Sequence, residues 1–100
     1  MKTTRFIVLL SLFALLSACG PSEASVKEEI AAANHCEVDA DCASAGTKCP
    51  FGCTIPVNKS EVARIKQLLD DFGRETCQYD CITVTGFACT NKVCVEKTGP

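Results

Sequence analysis

Nine of the 100 residues are cysteine, and eight of them, Cys36, Cys42, Cys49, Cys53, Cys77, Cys81, Cys89 and Cys94, follow one another within the C-terminal two thirds of the chain. Sulfur at that density supports three chemistries. Cys49-Pro50-Phe51-Gly52-Cys53 and Cys77-Gln78-Tyr79-Asp80-Cys81 are CxxxC pairs, and four thiolates can hold zinc tetrahedrally. A redox site of the thioredoxin kind uses CxxC, a spacing that does not occur here. Disulfide bonding is the third, and eight is an even number that closes into four bridges. The compartment decides among them, because a thiolate ligand must stay reduced and an exported chain meets an oxidising environment.

The other candidate groups are few. Glu37, Asp39 and Asp41 alternate along the chain, so an extended segment would gather their carboxylates on one face for a hard cation. An EF-hand counted from Asp39 would need Gly and Glu where Ser44 and Pro50 stand. The expected role of Asp39 or Asp41 is therefore to cap a turn through side-chain to backbone hydrogen bonds. His35 is the only histidine; its neighbour Cys36 is expected in a bridge, which removes the nearest nucleophile. His35 reads as an ordinary surface or packing residue. Phe51, between Pro50 and Gly52 in a cysteine-bounded turn, reads equally as an exposed anchor for a partner or as a plug for the core.

The N-terminus supplies the compartment. Lys2 and Arg5 precede the apolar run Phe6 to Leu16, which falls well short of the roughly 20 apolar residues a membrane-spanning helix needs. It has the form of a signal-peptide core that is removed on export. The run ends in Leu16-Ser17-Ala18-Cys19-Gly20. This resembles the bacterial lipobox, in which a branched apolar residue and two small residues precede the cysteine that is lipidated and becomes the first residue after cleavage. The resemblance implies residues 1–18 as signal peptide and Cys19 as the lipid attachment point. Gly20 stands where Asp commonly signals inner-membrane retention in Gram-negative lipoproteins, so in such a source the resemblance implies the outer membrane, facing the periplasm or the surface.

The elements that position the cysteines must come from little material. Residues 1–18 contain twelve of the 47 hydrophobic residues, and nine of the remaining 35 are cysteines. The 26 ordinary apolar side chains left cannot bury a large core, and domains this small rely on disulfides or metal. A multidomain chain, a doubly wound nucleotide-binding fold and a polytopic membrane protein are excluded. Ser25 to Asn34 reads as an amphipathic helix, with Val26, Ile30 and Ala33 on one face and Glu28 opposite. Ser60 to about Glu75 is the main helix: Ser60 as N-cap, then Val62, Ile65, Leu68, Leu69 and Phe72 as one apolar stripe. Lys66, Asp70 and Arg74 lie on its wet face. Thr54 to Val57 is β-leaning, with Pro56 confining it to an edge or a connector. Ile82 to Thr85 is a β-branched run, and Phe87 to Cys89 and Val93 to Val95 flank a turn at Thr90-Asn91-Lys92. Asn58-Lys59-Ser60 matches the N-x-S glycosylation pattern, but Asn58 reads better as the end of the connector before the helix.

Cys36-Glu37-Val38-Asp39-Ala40-Asp41-Cys42 resembles the CxxDxDC opening of small secreted cysteine-rich domains. With Val57-Asn58-Lys59 ahead of a helix and the late Cys89-Thr90-Asn91-Lys92-Val93-Cys94-Val95, residues 36 to 95 resemble small eight-cysteine bacterial lipoproteins. This implies an exported, disulfide-bonded α+β domain at 36–95, after a lipidated tether with a possible short helix at 19–35 and before a tail at 96–100. All eight cysteines are expected in four disulfides around one main helix and a short antiparallel hairpin. The two CxxxC pairs are expected to join each other as Cys49 to Cys81 and Cys53 to Cys77. Alternatively each pair splits between Cys36 or Cys42 and Cys89 or Cys94.

Once Lys2 and Arg5 are removed, eight basic residues face twelve acidic ones. With no basic stripe, nucleic acid is not an expected partner, and membrane residence must come from the lipid. The expected protein is a lipid-anchored envelope component whose stapled domain serves binding or structure, with an unidentified protein partner, no cofactor and no catalysis. Two alternatives stand beside it. One is a protease-inhibitor-like module presenting the Cys49 to Cys53 or the Asp80 to Ala88 loop, and the other is a metal-binding envelope protein.

Overall fold

The computed structural model describes residues 20–73, 77 and 80–99. Helix α1 spans Glu23–Ala33. It begins two residues earlier than the apolar pattern alone indicates because Ser22 caps it: the Ser22 hydroxyl accepts from the Ser25 N–H at 3.1 Å and satisfies one of the free donors of the first turn. The polar stretch ahead of the helix is correspondingly short, Gly20 to Ser22. Val26 and Ala33 are buried and Ile30 packs beside them, so the expected apolar face is the one that meets the core.

Helix α2 spans Val62–Phe72, entered through a 3₁₀ turn at Lys59–Glu61. Its cap differs from the expected Ser60. Asn58 Oδ1 accepts from both the N–H and the hydroxyl of Ser60, at 2.9 and 2.7 Å, so Ser60 lies inside the turn that Asn58 starts. The helix also stops short of Glu75, which lies outside the described residues together with Arg74. At Gly73 the backbone adopts φ 96°, a conformation that glycine enters without a Cβ clash and that ends helices. The stripe holds: Ile65 and Leu69 are buried, and Val62, Leu68 and Phe72 pack at the margin of the core. The ion pairs of α2 run through Arg64 to Glu61 and to Glu29 of α1, while Lys66 and Asp70 are exposed.

Two small antiparallel sheets complete the fold. Strand β1, Cys42–Ser44, pairs with β2, Pro56–Asn58, with Ala43 opposite Val57. Pro56 occupies the first position of its strand, where a missing N–H is tolerated. The Ser44 side chain supports the corner beyond β1 by accepting from the N–H of Gly46 and of Ile55. Strands β3, Val84–Thr90, and β4, Val93–Thr98, form a hairpin. Its turn is two residues, Asn91 and Lys92, with φ of 51° and 64°. Thr90 is thus the last strand residue, opposite Val93, in the I′ geometry whose twist suits paired strands. Ile82 and Thr83 lie before the strand, since β4 ends at Thr98 opposite Val84.

The core comprises Val26, Ala33, Ala45, Ile55, Val57, Ile65 and Leu69. It draws on α1 as well as on the cysteine-bounded residues. The expected class, a small disulfide-rich α+β domain with four bridges, is the observed one. Its largest fully buried side chains are Ile55, Ile65, Val26 and Val57. At roughly 1.5–3 kcal/mol apiece, they are few for the chain entropy a fold must offset, and the cross-links make up the difference by constraining the unfolded chain.

Candidate functional site

The bridges form two groups. In the first, Cys89 and Cys94 are cross-strand partners on the hairpin, bonded to Cys36 and Cys42 respectively. The segment between Cys36 and Cys42, including a 3₁₀ turn at Asp39–Asp41, is thereby fastened across the hairpin. The sulfurs of Cys36, Cys42 and Cys94 lie within 4.8 Å of one another, the one set of potential metal ligands that comes together among the described residues. Each of the three is committed to an S–S bond and is no thiolate.

The carboxylates of this segment have separate partners. Asp41 Oδ2 accepts from the N–H of Glu37 and of Val38 at 2.9 and 3.2 Å, the turn-capping role expected of it. Asp39 Oδ1 accepts from the N–H of Cys89 at 2.7 Å and its other oxygen stands 3.6 Å from Lys97 Nζ. Glu37 stands 3.6 Å from Lys92 Nζ. The backbone N–H of Cys89 holds the Asp39 carboxyl below its ordinary range, with Lys97 adding to the effect. The N–H groups of Glu37 and Val38 do the same for Asp41.

Asn34, just past the end of α1, is the residue that sequence reasoning missed. Its Oδ1 accepts from the Cys94 N–H at 2.6 Å and its Nδ2 donates to the Cys94 carbonyl at 3.1 Å. One amide thus imitates a neighbouring strand on the outer edge of β4, as Asp39 covers the outer edge of β3. Such coverage blunts a sheet edge that would otherwise template pairing with another chain. An asparagine ending a helix signals a cap from sequence; nothing local points to a strand 60 residues on.

The second group joins the two CxxxC pairs to each other, as expected, but in the opposite sense: Cys49 is bonded to Cys77 and Cys53 to Cys81. The crossed pairing of Cys49 with Cys81 and Cys53 with Cys77 required α2 to run on through Cys81, with both sulfurs on one face. The helix ends at Phe72 instead, and Cys77 and Cys81 meet Cys49 and Cys53 in the same chain order. The turn itself is closed by backbone hydrogen bonds between Lys48 and Gly52, at 3.1 and 3.0 Å, with Gly52 at φ 129°. Phe51 is half-buried and meets Phe72 edge-on, the ring centroids 5.1 Å apart. It closes the core; it is not a projecting anchor.

Hollows open on the surface among the described residues, two of which bear on the candidate chemistry. One, of about 520 Å³, lies between the helices and is lined by Ser25, Glu29, Arg64, Gln67, Leu68 and Asp71. The other, of about 310 Å³, lies beside the second disulfide group and includes Thr47, Lys48, Lys66 and Asp70. Their hydroxyls are engaged with the backbone: Ser25 donates to the Ser22 carbonyl and Thr47 to that of Cys53. His35 lies in neither; it is exposed beside Asn58, whose amide donates to the His35 carbonyl at 3.0 Å.

Eight cysteines in four disulfides are the dominant chemistry of the domain, and that state fits an extracellular or envelope location. Among the described residues no helix is long and apolar enough to cross a membrane. No known family model, curated protein or solved structure matches the chain.

Proposed function

We propose that the chain is an exported protein held at a bacterial envelope by lipid on Cys19, carrying a disulfide-stapled domain that binds or scaffolds and performs no catalysis. The observation that carries this reading is the pairing itself. Eight of the nine cysteines bond among themselves, leaving over the one that ends Leu16-Ser17-Ala18-Cys19. Its thiol would lose its proton and displace the phosphorylated headgroup of a glycerophospholipid, so that the diacylglyceryl C–O bond breaks as the C–S thioether forms, and hydrolysis of the Ala18–Cys19 bond would leave the modified cysteine first. The absence of catalysis rests on His35, which stands beside a bridged cysteine, and on Asp39 and Asp41, whose carboxylates are already engaged with backbone N–H groups. The metal-binding alternative loses its donors to the S–S bonds.

The test is growth on labelled palmitate with the wild type and Cys19→Ser. Label in the wild type and none in the variant is expected, since oxygen does not replace the sulfur acceptor; equal labelling of the two would refute the lipid reading.

One observation favours the inhibitor-like alternative. Asp80 to Thr83 are exposed, and Ile82, 68% exposed, directly follows the bridged Cys81. The Cys49 to Cys53 turn is a poor bait, because its internal hydrogen bonds use backbone groups that a protease cleft would have to engage. Inhibition of a serine protease that prefers aliphatic residues, abolished in Ile82→Lys, would establish that alternative, and its absence would leave the scaffold reading standing.

A further inference from the structure

We infer that the domain rests on the bilayer with the Phe51 turn and the second disulfide group facing the lipid headgroups, and with the β3–β4 hairpin directed away. This rests on lipidation at Cys19 and adds an orientation to it. Only Gly20 and Pro21 separate Cys19 from Ser22, the residue that caps α1. Three extended residue steps span about 10 Å. The headgroup layer of one leaflet, taken as half the difference between the whole bilayer and its hydrocarbon core, is already about 5–8 Å thick. Little slack is left, and the start of α1 is held at the membrane surface.

The packing then fixes which residues share that pole. The two helices run antiparallel: Arg64, in the first turn of α2, bonds Glu29 of α1, and Asn58, ahead of α2, bonds the His35 carbonyl beyond the end of α1. At the other end Gly20 lies against α2, where a Cβ on it would stand 3.4 Å from the Asp71 carbonyl oxygen. Phe72, next in the chain, packs on Phe51 and brings the Cys49 to Cys53 turn to the same pole. The hairpin belongs to the opposite pole, where Asn34 holds Cys94 and the Cys36 N–H donates to the Lys92 carbonyl. The eleven residues of α1 separate the poles by about 16 Å. A tether of about 10 Å permits tilt but cannot bring the far pole to the bilayer while Cys19 remains in it.

Among the described residues, Glu23, Asp70 and Asp71 lie at or near the anchored pole with Lys27, Lys48 and Lys66, so these charges make no basic patch for anionic lipid, and the orientation is expected on zwitterionic membranes too. The exposed Val38, Val93 and Val95, on or beside the hairpin, are kept clear of lipid and turned outward.

The test uses the lipidated mature protein in phosphatidylcholine nanodiscs containing a lipid with a nitroxide on its headgroup, read by paramagnetic loss of amide NMR signals. Loss concentrated at residues 20 to 23, 46 to 53 and 70 to 73, with Asn91 and Lys92 retained, is expected. Uniform loss, or loss greatest at the hairpin turn, overturns the orientation. A second protein, with about 20 Gly/Ser residues inserted after Cys19 and hence an r.m.s. reach of roughly 25 Å, is expected to lose the gradient. A gradient that survives the insertion overturns the tether as its cause. Mass spectrometry of the purified protein separates the two readings: no acyl mass on the Cys19 peptide refutes the lipid anchor itself and the orientation with it, whereas an acylated protein without the gradient refutes only the orientation.

Discussion

Replacing Asn34 with alanine removes both hydrogen bonds that fasten α1 to β4. Cys94 is 2% exposed, so water does not readily replace the lost partners of its N–H and carbonyl. Two hydrogen bonds at about 1 kcal/mol each set a floor near 2 kcal/mol, and the desolvation cost of two orphaned groups raises the expected loss to about 2–4 kcal/mol. For a domain of this size the floor alone corresponds to a fall in Tm of about 8–16 °C. The disulfide between Cys42 and Cys94 keeps the hairpin attached, so the variant should still fold while the Cys94 amide exchanges with solvent much faster. Asn34→Asp sharpens the test at neutral pH. It keeps an acceptor for the N–H but sets a carboxylate oxygen against the Cys94 carbonyl, and should be at least as damaging as alanine. The assay is guanidinium unfolding with disulfides intact, combined with hydrogen exchange at Cys94. An alanine variant within about 0.5 kcal/mol of wild type, the range of an ordinary surface change, would refute the claim that this amide does the work of a strand.

Three further outcomes are expected. Because hydrogen bonds from backbone N–H groups hold the Asp39 and Asp41 carboxyls below their ordinary value of 3.8, their contribution is complete above about pH 5 and is lost as pH falls below about 4, through the lowered folded pKa. Stability measured against pH should show that acid limb, and Asp41→Asn should flatten part of it. Lys92→Gly should raise stability by roughly 1 kcal/mol by relieving a non-glycine residue at φ 64°, against the loss of an exposed pairing with Glu37 worth little; a lowered Tm would contradict this. Brief treatment with a thiol reductant, followed by alkylation and peptide mapping, should open the bridges to the exposed Cys77 and Cys81 before those to Cys36 and Cys94, which are 3% and 2% exposed, because access governs attack on a disulfide. Prior opening of Cys36–Cys89 would show that access does not decide the order.

The apolar stripes of both helices were legible because burial imposes a period that a single sequence displays. Their ends were less so. Asn58 and Ser60 are both competent caps two residues apart, and only the geometry of the preceding 3₁₀ turn selects Asn58. Strand β1 was not legible, since Cys42-Ala43-Ser44 has no β-branched residue; β2 and the Cys42–Cys94 bridge hold it in place. An even cysteine count announces bridges without naming partners. The CxxxC pairs were rightly joined to each other, yet the sense of the pairing depended on whether α2 continued past Gly73, a backbone choice that the helical pattern conceals.

The connectivity also determines what a single proteolytic cut can do. In both groups the bridges cross: Cys36–Cys89 overlaps Cys42–Cys94, and Cys49–Cys77 overlaps Cys53–Cys81. Cleavage of any one peptide bond between Cys36 and Cys94 leaves the two fragments joined through sulfur, so a nicked domain sheds no piece of itself. On the proposed anchor at Cys19, one cut frees the cross-linked residues 36–94 only if it falls before Cys36. Residues 23 to 33 of that stretch are helical and supply Val26 and Ala33 to the core, and Asn34 fastens them to β4, leaving the bonds near Pro21 as the place where a protease could release the domain intact.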